Sequence, residues 1–299
     1  IRDRYMDKSA DDMLGRVNMY SIPLIPPQSK KGPQPDISAP AVTTVVPKKK
    51  VGFVLGGINY DLDSARSGSG AKLTTRSYTF DDDSTRSGFS YLEGTYTETQ
   101  KIVSYLAGKK FTVNYLSGKQ ASEEQFKKME SSKPFFIHIA THGFYLPESK
   151  GNSTSLLVAA KSENPLLRSG LILAGGNKAW LGKPIANGKE DGILNSFEIS
   201  NMDLRQTKFV VLSACETGLG DIKGSEGVFG LQRAFKLAGV EYIVNSLWQV
   251  PDEQTSELMQ TLYFHWSKGV PFEEAFFRAQ KALKAKYEPY YWAAFQLVK

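Results

Sequence analysis

Two residues carry types that can do covalent chemistry, and both stand where a reactive group is useful. Cys215 is the only cysteine in the chain, and it directly follows the apolar run Phe209 to Ala214. His142 follows a second apolar run, Phe135 to Ala140, by two residues. A thiol becomes a competent nucleophile as thiolate, and a neighbouring imidazole can both take its proton and later protonate a leaving amine. Attack on a carbonyl also needs backbone N–H groups aimed at the developing oxyanion. Gly143, with no side chain, can bring its amide close, and the amide of Cys215 is the natural second donor. By residue type alone the alternative stands beside this reading: Cys215 as a small buried apolar group and His142 as a loop histidine satisfied by backbone.

A substrate pocket beside Cys215 would be built from nearby loops. Asp191, Glu216, Asp221 and Asp252 are the acidic candidates for holding a basic side chain, and an apolar pocket is the other possibility. Asp252 precedes a helical pattern with Thr255 three residues on, which equally suits an N-cap. Trp248, in a loop closed by Pro251, could wall the cleft or pack in the core. Glu226, ahead of an apolar-periodic helix, complements the helix dipole and takes no catalytic role. His138 lies four residues before His142, about 13 Å along a strand, too far for both to bind one metal. It and His265, inside a predicted helix, are expected to be structural.

The elements that must position these residues alternate between strand and helix. Val51 to Leu55, Phe111 to Tyr115, Phe135 to Ala140, Phe209 to Ala214 and Glu241 to Leu247 read as strands. The third and fourth are near-continuous apolar runs, as expected of central parallel strands covered on both faces. Thr95 to Leu106, Ser122 to Met129, Val228 to Ala238 and stretches near 253–267 and 272–285 read as helices. Tyr291 to Val298 reads as a last strand. In open α/β sheets, reacting groups collect at the carboxyl ends of the strands, where His142 and Cys215 both fall.

Residues 1–50, rich in Pro, Lys and Gly, read as an arm or linker. The start at Ile1 rather than methionine suggests continuation into an upstream domain. Residues 61–90 turn polar, with Ser64-Ala65-Arg66-Ser67-Gly68-Ser69-Gly70 and Asp81 to Gly88 too poor in apolar side chains to pack. Arg66, Lys72, Arg76 and Arg86 make that insertion easy to cut, so it is either an activation loop or a solvated loop without regulatory role.

The chain has 299 residues, 41% of them hydrophobic, enough for a substantial core. Its 37 basic residues against 31 acidic ones give +6, but they are scattered apart from Lys48-Lys49-Lys50, and no recognition motif accompanies them. Direct nucleic-acid contact is therefore not expected. One cysteine excludes an intramolecular disulfide framework and suits a reducing compartment. No run approaches the roughly 18 apolar residues of a membrane span, and no leader pattern is present. A cytoplasmic protein without membrane contact is the expectation.

His138-Ile139-Ala140-Thr141-His142-Gly143 together with Val211 to Gly218 resembles the CHAT family, which is similar to caspases and separase. Further matching stretches are Gly170 to Gly175, Asp191-Gly192-Ile193-Leu194, Gly224 to Phe235, Ser246-Leu247-Trp248-Gln249-Val250 and Tyr290 to Phe295. They cover roughly 90–299 in order. The resemblance implies a domain over 51–299 with a caspase-like (caspase-hemoglobinase) α/β fold, a mostly parallel central sheet flanked by helices. It implies a cysteine endopeptidase with a Cys215 and His142 dyad, acting without a cofactor on a protein substrate. It also implies an upstream tetratricopeptide-repeat or sensor domain that switches cleavage on in bacterial defence or cell death. The alternative is a CHAT-type scaffold or signalling module without activity. Ser213 stands two residues before the cysteine where metacaspase-like proteases that prefer Arg or Lys carry Asp, and the pentapeptide Ser213 to Thr217 differs from the caspase Gln-Ala-Cys pattern. Specificity for Asp is therefore not expected.

Overall fold

The computed structural model describes residues 49–62, 77–78, 88–146, 162, 164–214 and 227–299. Its main sheet is built from β1 (Lys50–Ile58), β3 (Phe111–Gly118), β4 (Phe136–Ala140), β8 (Phe209–Ser213), β9 (Tyr242–Ser246) and β10 (Phe295–Val298), in the order β10-β9-β8-β4-β1-β3. All neighbours are parallel except β10, which pairs antiparallel with β9. The two runs that carry the candidate residues, β4 and β8, are adjacent at the centre and wholly buried.

Burial on both faces explains their unbroken apolar character, since successive residues alternate sides and both sides are covered. Val54, Phe136, Val211 and Val244 face α1 (Glu93–Leu106), α6 (Asp252–Ser267) and α7 (Phe272–Lys284), packing with Ile102, Leu258, Leu262 and Phe276. Leu55, Ile137, Ile139, Val210, Leu212 and Ile243 face the other way, against Phe126 of α2 (Glu123–Lys128) and Leu231, Ala234 and Phe235 of α5 (Gly227–Leu237).

A second, smaller sheet grows from the carboxyl end of β4. Its order is β2 (Ser77–Tyr78), β5 (Gly143–Tyr145), β6 (Ser169–Ile172), β7 (Ile193–Asn195). β6 leads into the short α3 (Gly176–Trp180), entered through Gly175 at φ 83°, a left-handed conformation that glycine adopts without steric cost. β7 leads into α4 (Ser196–Ser200), whose start carries a capping box between Asn195 and Glu198.

The predicted helices and main-sheet strands are present. The stretch from Tyr291 differs: Pro289–Trp292 forms the one-turn helix α8, and the strand begins only at Phe295. Pro289 occupies the first helical turn, where its fixed φ and missing N–H favour helix initiation. Phe89 and Ser90, at the downstream end of the polar 61–90 stretch, are docked on the core, with Phe89 buried. No helix among the described residues is long and apolar enough to cross a membrane.

Candidate active site

Thr141 and His142 form the joint between the two sheets. Thr141 is fully buried, and its hydroxyl donates to the carbonyl of Ile172. Its single proton being spent there, the 3.0 Å bond to Tyr60 is one in which the tyrosine hydroxyl donates. Ile172 N–H in turn donates to the carbonyl of His142 at 2.9 Å. The histidine backbone is thus tied to β6 on one side, and its neighbour is tied to the segment after β1.

The His142 ring is 4% exposed and packs in a cluster with two aromatic rings, Tyr60 and Phe89, each with its centroid 5.1 Å from the imidazole and 6.2 Å from the other. Nε2 sits 2.9 Å from the carbonyl oxygen of Ser90. A carbonyl can only accept, so Nε2 carries the proton, and in the neutral ring Nδ1 is left as the basic nitrogen. The imidazole is therefore fixed in orientation and tautomer by a backbone group, as a general base requires.

Cys215, Glu216, Asp221 and Glu226 lie outside the described residues. The strand that leads to the cysteine does not. β4 and β8 pair in parallel with Ala140 opposite Ser213, and paired strands run about 4.8 Å apart. His142 and Cys215 are each two residues past that last rung. The end of β8 is secured by Ser246, whose hydroxyl donates to the carbonyl of Ala214 at 3.1 Å.

Gly143 opens β5. Ile172 N–H reaches His142 O and Leu146 N–H reaches Arg168 O, so the even-numbered positions of this strand bond to β6. Alternation along an antiparallel pair turns the amide of Gly143 to the opposite edge. That edge is where β2 pairs, Ser77 against Gly143 and Tyr78 against Phe144.

The other candidates divide. Trp248 is half-buried at the end of β9, and its indole N–H donates to the carbonyl of Tyr290 at 2.8 Å. Asp252 does not cap its own helix, whose N-cap is Pro251. Its carboxylate accepts the Gly94 N–H at 2.7 Å, at the start of α1, while Ser256 donates to Gly94 O at 3.3 Å. Asp191 accepts the Ile193 N–H at 2.8 Å and lies with Glu123 and Glu198, where desolvation raises its carboxyl above the usual range. Glu123, Glu190 and Glu198 surround Lys127, whose ammonium lies 2.7 Å, 3.0 Å and 2.8 Å from them in that order. Glu123, Glu190 and Glu198 have oxygens close enough to share a cation, and the Lys127 ammonium supplies that positive charge.

His138 and Glu98 form a separate pair beneath β4. Both are fully buried, with His138 Nε2 2.7 Å from Glu98 Oε1. Tyr263 of α6 stands edge-on to the imidazole, with centroids 5.2 Å apart. His138 is a core residue of the α1 and α6 face, not a ligand beside His142. His265, half-buried in the last turn of α6, has its pKa lowered by partial burial and by Arg278 and Lys268.

Four residues around His142 were not singled out from the sequence: Tyr60, Phe89, Ser90 and Asn177. Phe89, one apolar residue ending a long polar stretch, was the available signal. The role of Ser90 is carried by its backbone, to which side-chain type gives no clue.

A family model described as CHAT domain matches residues 37–299. Among solved structures, the Arg specific cysteine proteinase gingipain R shares 10% identity at a TM-score of 0.43, covering 82% of this chain and 44% of its own. The complex of pro- and mature gingipain domains from Porphyromonas gingivalis gives 10% identity and a TM-score of 0.40, with 80% and 43% covered. A protein from Geobacter sulfurreducens gives 12% identity and a TM-score of 0.43, with 84% and 92% covered. The chain thus spans less than half the length of the gingipain chains. No curated protein sequence matches it.

Proposed function

The chain belongs to the CHAT domain family, and from that premise we propose that it is a cysteine endopeptidase acting on a protein substrate, with Cys215 as nucleophile and His142 as base. The observation that carries this reading is the pairing of β4 with β8 in a register that sets Ala140 opposite Ser213, two residues before each member of the dyad. The Ser90 carbonyl supports it by leaving Nδ1 of His142 as the basic nitrogen.

In the proposed reaction His142 Nδ1 takes the proton from Cys215 Sγ, and the thiolate attacks the carbonyl carbon of the peptide bond. The oxyanion that forms is held by the amides of Gly143 and Cys215. As the tetrahedral adduct collapses the C–N bond breaks, and the imidazolium returns its proton to the departing amine. His142 then deprotonates a water that attacks the thioester, and the acid product leaves with Cys215 again a thiol. Burial of the imidazole against Tyr60 and Phe89 keeps bulk water away from it, which strengthens each of these interactions.

We place the catalytic domain at 51–299 and the arm at 1–50, joined to an upstream repeat or sensor that controls cleavage in bacterial defence or cell death. Support for this context, and for a cytoplasmic site of action, comes from the family resemblance and the lone cysteine. Trp248, half-buried at the strand end, is proposed as a wall of the substrate cleft.

The test is proteome-wide mapping of new N-termini produced by the wild type and by Cys215→Ala. Cleavage sites that vanish in the variant support the protease. Identical N-termini in both samples would favour a scaffold.

A further inference from the structure

We infer that Asn177 is the positioning residue for the His142 imidazole, acting through Phe89 and Ser90; this rests on the reading of His142 as the base. Asn177 is 3% exposed in the first turn of α3, and its side chain reaches two segments remote in sequence. Oδ1 accepts the Phe89 N–H at 2.6 Å, and Nδ2 donates to the Phe89 carbonyl at 3.0 Å. The second Nδ2 proton goes to Asp61 Oδ2, also at 3.0 Å. Its backbone N–H donates to Tyr60 O at 3.2 Å.

Both segments held by Asn177 touch the imidazole. Phe89 and Tyr60 supply the two rings that pack against it, and the residue after Phe89 supplies the carbonyl that binds Nε2. By gripping Phe89 through both its N–H and its C=O, the amide fixes the peptide plane preceding Ser90. Trp180, three residues along α3, adds an edge contact to the Phe89 ring at 4.8 Å. A Cβ at Gly88 would lie 3.0 Å from the amide atoms of Asn177, so this segment approaches the amide closely.

The chemistry demands asparagine. Two donors and one acceptor are needed at once, and the amide supplies both kinds. An ionised aspartate has acceptors only, and would set a carboxylate against the Phe89 carbonyl and the Asp61 carboxylate. Leucine would remove all three bonds, two of them to the buried N–H and C=O of Phe89 and one to the exposed Asp61 carboxylate.

The experiment reads the imidazole directly. Full-length chain carrying Cys215→Ala, labelled with 15N at histidine, is compared by NMR with the same protein carrying Asn177→Asp in addition. With Asn177 present, His142 is the Nε2–H tautomer. With Asn177→Asp, its signals move toward a mixture of tautomers, while those of His138, held by Glu98, stay in place and report an intact core. If the Asp variant loses the His138 signal, Asn177→Ser is judged by the same criterion. An unchanged His142 tautomer in a folded variant overturns the inference. In the Cys215-bearing chain, Asn177→Asp is expected to lower kcat about 100-fold, the scale of an ångström-sized misplacement of a catalytic group. A tautomer shift in a chain that cleaves nothing would retain the role of Asn177 and remove the protease reading. Proteolysis with an unmoved tautomer would do the reverse.

Discussion

Replacing Glu98 by alanine should cost far more stability than any exposed carboxylate in the molecule, because of what it leaves behind. Glu98 and His138 are both wholly inaccessible and 2.7 Å apart, closed in by Tyr263 and by the apolar residues that α1 and α6 turn to the sheet. Removing the carboxylate strands the His138 Nε2 proton in that interior. Breaking a buried pair in this way costs about 3–5 kcal/mol. At about 2–4 °C per kcal/mol for a domain of this size, the midpoint should fall by roughly 6–20 °C. Glu274, exposed and paired with Arg278 at 2.8 Å, provides the control, since such pairs contribute about 0–1 kcal/mol. Substituting both partners with apolar groups, Glu98→Leu with His138→Phe, should recover most of the loss by keeping the packing on Tyr263 without a stranded polar group. The assay is urea and thermal unfolding followed by circular dichroism. If Glu98→Ala costs no more than Glu274→Ala, the pair does not do what its burial implies.

Three further outcomes are expected. Glu123, buried beside Glu198 and Asp191, has its pKa raised to about 8, chiefly by desolvation and against the hydrogen bond from Lys127. A folded pKa above the unfolded value means stability present below about 4.5 and lost as pH rises through about 8. This contribution to the melting temperature should therefore fall between about pH 5 and 8 and level off above, and Glu123→Gln should flatten that fall; an equally steep fall in the variant speaks against it. Asp252→Ala should lower stability by about 1 kcal/mol through loss of the cap on α1, with the substrate preference of cleavage unchanged. A changed preference would return Asp252 to the substrate pocket. Thr141→Val should cost about 1–3 kcal/mol in denaturant unfolding, because the Ile172 carbonyl and the Tyr60 hydroxyl each lose a buried partner; a neutral substitution would show that the joint is held otherwise.

The central strands were legible because full burial on two faces writes itself as unbroken apolar runs, seen in Phe136–Ala140 and Phe209–Ser213. Their carboxyl ends followed, and with them the place of His142. The second sheet was not legible. Strands of three or four residues such as Gly143–Tyr145 and Ile193–Asn195 are shorter than the alternation needed to recognise them. The partners of His142 were hidden for a different reason: Ser90 contributes a backbone carbonyl, and Asn177 acts on another backbone segment 88 residues away in sequence. Asp252 misled by local pattern. It heads a helix, as a cap would, yet its carboxylate serves the start of a different helix, which spacing along the chain cannot reveal.

The most direct measurement of the dyad uses the lone cysteine. Alkylation by iodoacetamide can be followed by mass spectrometry across pH 5–9 with no background from other thiols. A Cys215 thiol paired with His142 should react well below the ordinary thiol range near pH 8.5, and His142→Ala should return its profile to that of a free cysteine. A wild-type profile indistinguishable from free cysteine, unmoved by His142→Ala, would contradict the proposed catalysis.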